Sequence, residues 1–202
     1  MEDIIENSLQ SAKSYDEYKE MVLQLLREGK STGPVQSEDR FHFTRLNTQR
    51  MKRLDKQTKL SSEAVSMAGQ VQKDFTWLVL TESWCGDAAQ TLPVINKFAE
   101  INECIELKVV LRDENEDLMN RFLTDGNKAI PKLIVIDKAT KKVLNSWGPR
   151  TAKASKMVQE YKEKHGKIDA SFKEELQRWY NADKGSHIEK ELLDLLNDMI
   201  QS

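Results

Sequence analysis

Cysteine, proline and glycine are scarce in this chain, with 2, 4 and 8 residues among 202. Two cysteines exclude a disulfide-dense secreted scaffold. Charge of one sign is lacking too: 31 basic residues face 33 acidic ones, for a net charge of -2. That balance gives no reason to expect nucleic acid or an anionic membrane as a partner. No apolar run approaches the roughly 18 residues that mark a membrane span. Mean hydropathy is -0.64, as expected of a soluble protein. The first ten residues, MEDIIENSLQ, carry neither a basic region nor an apolar stretch, so no signal peptide is expected. The expected compartment is the cytoplasm, where thiols stay reduced. There is no P-loop and no GxGxxG. His42, His165 and His187 are scattered and lack metal-ligand spacing with either cysteine. No metal and no cofactor is expected. No internal repeat or low-complexity segment is visible.

What is present is enough for one domain with appendages. Residues 1–70 look helical. Tyr18, Val22, Leu25 and Leu26 recur at helical spacing over 14–30, which Gly29 and Gly33-Pro34 end. A second helical run covers 38–59, with Phe41, Leu46, Met51 and Leu54 as its larger apolar residues. Ser61 and Ser62 can cap a third, reaching about Val71. The period then changes. Phe75 to Leu80 is a short apolar, β-branched run that suits a buried strand. Residues 87–102 return to helical spacing, 107–111 read as a strand, and Asn115 to Leu123 as a short helix. Strands over 133–136 and 142–147 are joined by a few turn residues, which forces an antiparallel hairpin. A helix over 151–165 follows. The tail, 166–202, is helical, with Phe172, Leu176 and Trp179 on one face. The expected division is an N-terminal helical extension packed on the core (1–70), a β-α-β-α-β-β-α domain (71–165) and a C-terminal helical extension (166–202). Trp77, Trp147 and Trp179 are expected in the core.

Trp84-Cys85-Gly86-Asp87-Ala88 follows the first strand directly and opens the next helix. There the free N–H groups of the first turn and the helix dipole favour a thiolate. Gly86 lets backbone and substrate approach closely. Pro93 stands eight residues after the cysteine, inside the helix, where it should cause a kink. Ile130-Pro131 precedes a core strand, and a proline there is a candidate cis bond in a tight turn.

These features together resemble the thioredoxin superfamily. The resemblance rests on Trp84-Cys85-Gly86 after a strand, Pro93 in the following helix, Ile130-Pro131 before a strand, and a hairpin ending in Gly148. It covers about residues 71–165. It implies a thioredoxin-like α/β fold: a central mixed sheet flanked by helices, with helical extensions at both ends. The family's first strand is not visible. The resemblance makes Cys85 the attacking thiol. Trp84, Gly86, Ile130 and Pro131 become the surface that holds a partner chain. Family dithiol enzymes carry Cys-Gly-Pro-Cys; here the resolving position is Ala88, without a thiol. The buried acid of many members falls near Val79, which cannot transfer a proton. The sequence is thus closer to a bacterial branch with Asp in place of the motif proline. A glutathione-transferase-like reading fails because the 37-residue tail is too short for the all-helical second domain.

Cys104 cannot replace the missing thiol if the helix after Cys85 runs straight to it. Nineteen residues then separate the two, or roughly 28 Å at helical rise, against the ~7 Å a disulfide allows. Cys104 reads as a small apolar filler. Two roles remain for Cys85: a monothiol nucleophile that exchanges disulfides with a protein or low-molecular-weight thiol, or a fold remnant on a redox-inactive binding surface. Glu82 and Asp87 are nearby carboxylates that raise a thiol pKa against the dipole. A moderate Cys85 pKa is expected from that contest. Asp87 can accept a free N–H in the first helical turn, or serve proton transfer at Cys85. Residues 39–60 carry a net charge of +5. They form a solvated helix face, unless Arg50 or Arg53 reaches the thiol or an anionic ligand.

Overall fold

The computed structural model describes residues 1–200. Four strands form one mixed sheet: β1 Phe75–Thr81, β2 Ile105–Leu111, β3 Lys132–Asp137 and β4 Val143–Trp147. Their order is β2-β1-β3-β4. β1 runs parallel to β2 and antiparallel to β3, and β3 pairs antiparallel with β4. Every residue of β1 is buried, which is why its sequence shows an unbroken apolar run and no alternation. On β2, Glu106 and Lys108 alternate with buried neighbours. Among the described residues no strand covers the outer edge of β2. Lys13 bridges it, exchanging both backbone hydrogen bonds with Val109 at 2.9 and 2.8 Å. That bridge satisfies an otherwise open edge.

Nine helices surround the sheet among the described residues: α1 Glu2–Gln10, α2 Tyr15–Arg27, α3 Glu38–Gln57, α4 Ser62–Gly69, α5 Gly86–Ala99, α6 Glu116–Arg121, α7 Ala152–His165, α8 Ala170–Asp183 and α9 Ser186–Ile200. Side-chain oxygens of Ser14, Ser37, Ser61, Thr151 and Asp169 accept first-turn N–H groups and fix five helix starts. At Ser14 the reciprocal bond from Glu17 completes a capping box.

The helix expected to run to 102 stops at Ala99. Asn102 explains this. Its Nδ2 donates to the carbonyls of Ala68 and Val71, and its Oδ1 accepts the Cys104 N–H. The chain therefore turns into β2 two residues earlier than its apolar pattern suggests. The buried stripe of α3 is only half apolar. Thr44, Asn47, Met51 and Leu54 face inward, while Phe41 and Leu46 are half-buried. Two polar residues on a buried stripe need partners, and the candidate site supplies them. α3 packs along α5, α9 packs on α4 and α5, and α1 and α2 reach β2. Trp77 is fully buried. Trp147 and Trp179 are half-buried against the core.

Candidate functional site

The backbone places Cys85 at the N-cap of α5, with extended φ/ψ and the sulfur above the first turn. The N–H groups of Ala88 and Asp87 reach the sulfur and pull its pKa down. The thiol donates to the Ile130 carbonyl at 3.3 Å. The Ile130–Pro131 peptide bond is cis, as is Gly148–Pro149. Cys85, Ile130, Pro131 and the end of the β3–β4 hairpin thus share one place. Gly148 is essential to that closeness. Its φ is +107°, and a Cβ there would sit 2.4 Å from the Pro131 carbonyl oxygen.

The electrostatics differ from the moderate balance expected from sequence. Cys85 is only 9% exposed. Burial, seconded by the charge of Asp87, pushes its thiol pKa up to about 12, against the two N–H groups and Arg150. The sequence places charges but not solvent, and the missing factor was desolvation. Glu82 is held apart from the first turn of α5 by its own partner. It is fully buried, and its Oε1 accepts the Asp113 N–H at 2.9 Å. Burial raises its own pKa.

Asp87 is the centre of a separate cluster. It does not cap α5, which has no side-chain cap bond. Its Oδ2 pairs with Arg150 Nη2 at 2.6 Å, and its Oδ1 accepts the Tyr180 hydroxyl at 3.1 Å. Burial raises the Asp87 pKa, while Arg150, Tyr180 and Arg50 pull it back. An acid at this motif position therefore ties the first turn of α5 to α8 and to the segment before α7.

Of the two expected arginines, Arg50 comes close. Its Nη1 lies 3.6 Å from where a Gly86 Cβ would be, and Gln177 Nε2 lies 3.2 Å from the same point. Gly86 is what leaves room for both. Arg50 is held by Asn47 Oδ1 at 2.8 Å, and Asn47 Nδ2 donates to the Ser83 carbonyl at 2.9 Å. Ser83 Oγ meets Thr44 and Thr32 at 2.9 and 3.1 Å. These are the partners that the polar stripe of α3 required. Arg53 instead donates to Asn181 Oδ1 at 2.6 Å. Trp84 is half-buried. The guanidiniums of Arg40 and Arg112 lie 4.5 and 5.0 Å from the centre of its ring.

Sequence reasoning missed Arg150, Tyr180, Gln177 and Asn47. Asn47 left a signal, since Thr44, Asn47, Met51 and Leu54 recur at helical spacing. Tyr180 is 93 residues from Asp87 and left none. Cys104, half-buried in the turn before β2, is outside the cluster. Both thiols are free. No cluster of His, Cys, Asp and Glu among the described residues could hold a metal ion.

A mixed sheet whose first central strand delivers a cysteine to a helix N-terminus, facing an Ile-Pro turn, defines a thioredoxin-like α/β protein. The chain belongs to the thioredoxin family: a family model described as Thioredoxin matches residues 33–162. The match begins before α3, so it includes the helix that carries Asn47 and Arg50. A crystal structure of a Pseudomonas aeruginosa protein of unknown function is similar, with TM-score 0.59 and 17% identity, covering 92% of this chain and 98% of that one. An HIV epitope-scaffold, 4E10, is similar at TM-score 0.57 and 19% identity, covering 94% and 99%. At such identities the likeness is one of fold. No curated protein matches the chain. No helix among the described residues is long and apolar enough to cross a membrane.

Proposed function

We propose that this protein is a cytoplasmic monothiol member of its family, exchanging disulfides through Cys85 with protein or low-molecular-weight thiol partners. The observation that carries the reading is the setting of Sγ. It sits at the start of α5 with two N–H groups directed at it and the Ile130 carbonyl 3.3 Å away. Those N–H groups stabilise a thiolate as it forms. The Cys85 proton leaves to solvent, and the thiolate attacks one sulfur of a substrate disulfide. A Cys85–substrate disulfide forms, and the other substrate sulfur departs as thiolate. Ala88 has no sulfur to resolve this intermediate. An external thiolate attacks the substrate sulfur, forms the new disulfide and returns Cys85 as thiolate. The substrate disulfide is the oxidant and the external thiol the reductant, and no other redox partner is needed.

A rival reading, a redox-inactive binding module on the Cys85–Pro131 surface, draws on the burial of the thiol. One experiment separates them. The protein is incubated at pH 8 with bis(2-hydroxyethyl) disulfide and analysed by intact-mass and peptide mass spectrometry. Exchange gives a mixed disulfide at Cys85 that added free thiol reverses, and that Cys85→Ser abolishes. Absence of any Cys85 adduct, while Cys104 is modified normally, supports the binding module and overturns the exchange reading.

A further inference from the structure

Arg50 reaches the first turn of α5 with no carboxylate of its own to pair with. Its Nη1 donates to a neutral acceptor, Asn47 Oδ1, at 2.8 Å. Arg53, one turn further along α3, likewise donates to a neutral oxygen, Asn181 Oδ1, at 2.6 Å. Among the described residues no acid forms an ion pair with either. Asp87 is the acid that acts on Arg50. Both of its oxygens are taken, one by Arg150 and one by Tyr180. Glu82 is turned toward Asp113 and Gly33. Arg50, Arg53 and Arg150 thus share one carboxylate, which leaves an excess of two positive charges. Arg50 is half-buried, and burial, seconded by the like charge of Arg53, lowers its pKa. A guanidinium in that setting is stabilised by an incoming anion.

Gly86 fixes where such an anion fits. Arg50 Nη1 is 3.6 Å from the position of a Gly86 Cβ, and Gln177 Nε2 is 3.2 Å from the same point. Gly86, Arg50 and Gln177 are all half-buried, so solvent reaches this corner. Gln177 Oε1 already accepts from Gln90 Nε2 at 2.9 Å, which leaves the Gln177 N–H groups for an acceptor. Gly86 directly follows Cys85, and consecutive Cα atoms are ~3.8 Å apart. A carboxylate a few bonds beyond a substrate sulfur spans that step once the sulfur has met Sγ.

We propose that Arg50, backed by Arg53 and Gln177, is the anion-recognition group of the Cys85 site, and that the disulfide taken there carries a carboxylate within a few bonds of its reactive sulfur. The planar fork of guanidinium donors fits a carboxylate. A small acidic thiol and an acidic side chain beside a half-cystine share that chemistry. The ligand's being a disulfide rests on the monothiol reading; the preference for an anion beside Cys85 does not.

The test sets iodoacetate against iodoacetamide, two alkylating reagents of similar size that differ by one charge. Peptide mass spectrometry of the full chain gives the ratio of their rates at Cys85 and at Cys104. Thiol pKa and burial act on both reagents and cancel in the ratio. Relative to N-acetylcysteinamide, Cys85 should favour iodoacetate about three- to tenfold in ~20 mM salt, and the excess should vanish in ~0.5 M salt. Arg50→Gln should remove the excess at an unchanged Cys104 ratio. No excess in the native chain, or one that survives in folded Arg50→Gln, overturns the proposal. Should the variant misfold, the native ratio and its salt dependence decide. With disulfides, dithiodipropionate should form the Cys85 mixed disulfide about three- to tenfold faster than bis(2-hydroxyethyl) disulfide. Equal rates overturn the carboxylate substrate while exchange stands. No adduct from either, with the iodoacetate excess present, overturns exchange and supports the anion site. Disulfide-linked peptide dimers with aspartate or asparagine next to the half-cystine separate the two sources. A gain from aspartate supports a chain substrate, and no gain, with dithiodipropionate still favoured, supports a small one.

Discussion

Cys85 is an ordinary thiol placed where two opposite effects meet. The N–H groups of α5 favour its anion, and its surroundings exclude the water that an anion needs. Burial wins, and the pKa rises to about 12. Two consequences can be measured. Alkylation of Cys85 should rise close to tenfold per pH unit from pH 7 to 10 with no plateau; a plateau below pH 9 would show a thiolate that this burial does not allow. Stability should respond in the same direction. The unfolded thiol titrates near ~8.5, below the folded one. The folded chain therefore holds its proton longer, and the stability this provides is full below pH ~8.5 and lost as pH rises toward the folded value. Relative to Cys85→Ala, the wild type should lose up to ~1.4 kcal/mol per pH unit between pH 9 and 10 in urea titrations. Asp87 gives a second prediction at this scale. From sequence alone, Asp87→Asn removes either a charge that disfavours the thiolate or a group that serves its proton transfer. In the structure it also leaves Arg150 without its carboxylate, at a site where Arg150 is 25% exposed. The variant should lose about 3 kcal/mol in denaturation, toward the lower end for breaking a buried pair because water still reaches the guanidinium. A loss under ~1 kcal/mol would mean that Arg150 finds another partner.

At the scale of elements, the site stands where three turns converge: the β1–α5 turn with Cys85, the Ile130–Pro131 turn before β3, and the Gly148–Pro149 turn after β4. Gly148→Ala tests that convergence. A Cβ 2.4 Å from the Pro131 carbonyl oxygen meets backbone that cannot swing aside, and φ of +107° is strained for any L side chain. The variant should lose roughly 3 kcal/mol or more. It should also label faster at Cys85 as the Pro131 turn retreats. Near-native stability in thermal melts would show that β4 can shift without cost. What the sequence disclosed at this scale was local. Trp84-Cys85-Gly86, Ile130-Pro131 and the hairpin to Gly148 are short motifs whose geometry follows from neighbouring residues, and each element they flank lies within a few residues of its expected bounds. The boundary missed at Ala99 came from the Asn102 side chain binding carbonyls of Ala68 and Val71, over thirty residues away in the chain. Arg150, Gln177 and Tyr180 were illegible for the same reason. Their roles exist only once α8 lies on α5, and no spacing along one segment records that docking.

Over the whole molecule, the helices outside the sheet-bearing segment complete its core. Ile5 is fully buried, and Tyr18 and Met51 are buried with it before the first strand begins; Leu192 and Leu196 are fully buried after the last. These residues form one continuous apolar cluster with Trp77, Leu92 and Phe98. The hydrogen-bonded joints cross the same seams. Lys13 closes the β2 edge, Asn47 and Thr44 hold the Ser83 turn, and Glu191 of α9 accepts the Trp147 indole N–H at 2.7 Å. Residues 71–165, expressed alone, would expose the face of α5 that meets α3 and α9. They would also leave the outer edge of β2 open and the polar atoms of Ser83 and Trp147 without partners. Each buried apolar side chain returned to water costs roughly 1.5–3 kcal/mol, and a domain's net stability is only ~5–15 kcal/mol. Loss of a handful of such contacts is enough to abolish folding. The excised segment should therefore give little amide chemical-shift dispersion and aggregate through its free edge, while the full chain unfolds in one cooperative step. A cooperative melt of 71–165 alone, with dispersed amide resonances, would show that the strands and α5 hold together without the flanking helices. The alkylation rate of Cys85 in that folded segment, set against the full chain, would then measure what the flanking helices add to its burial.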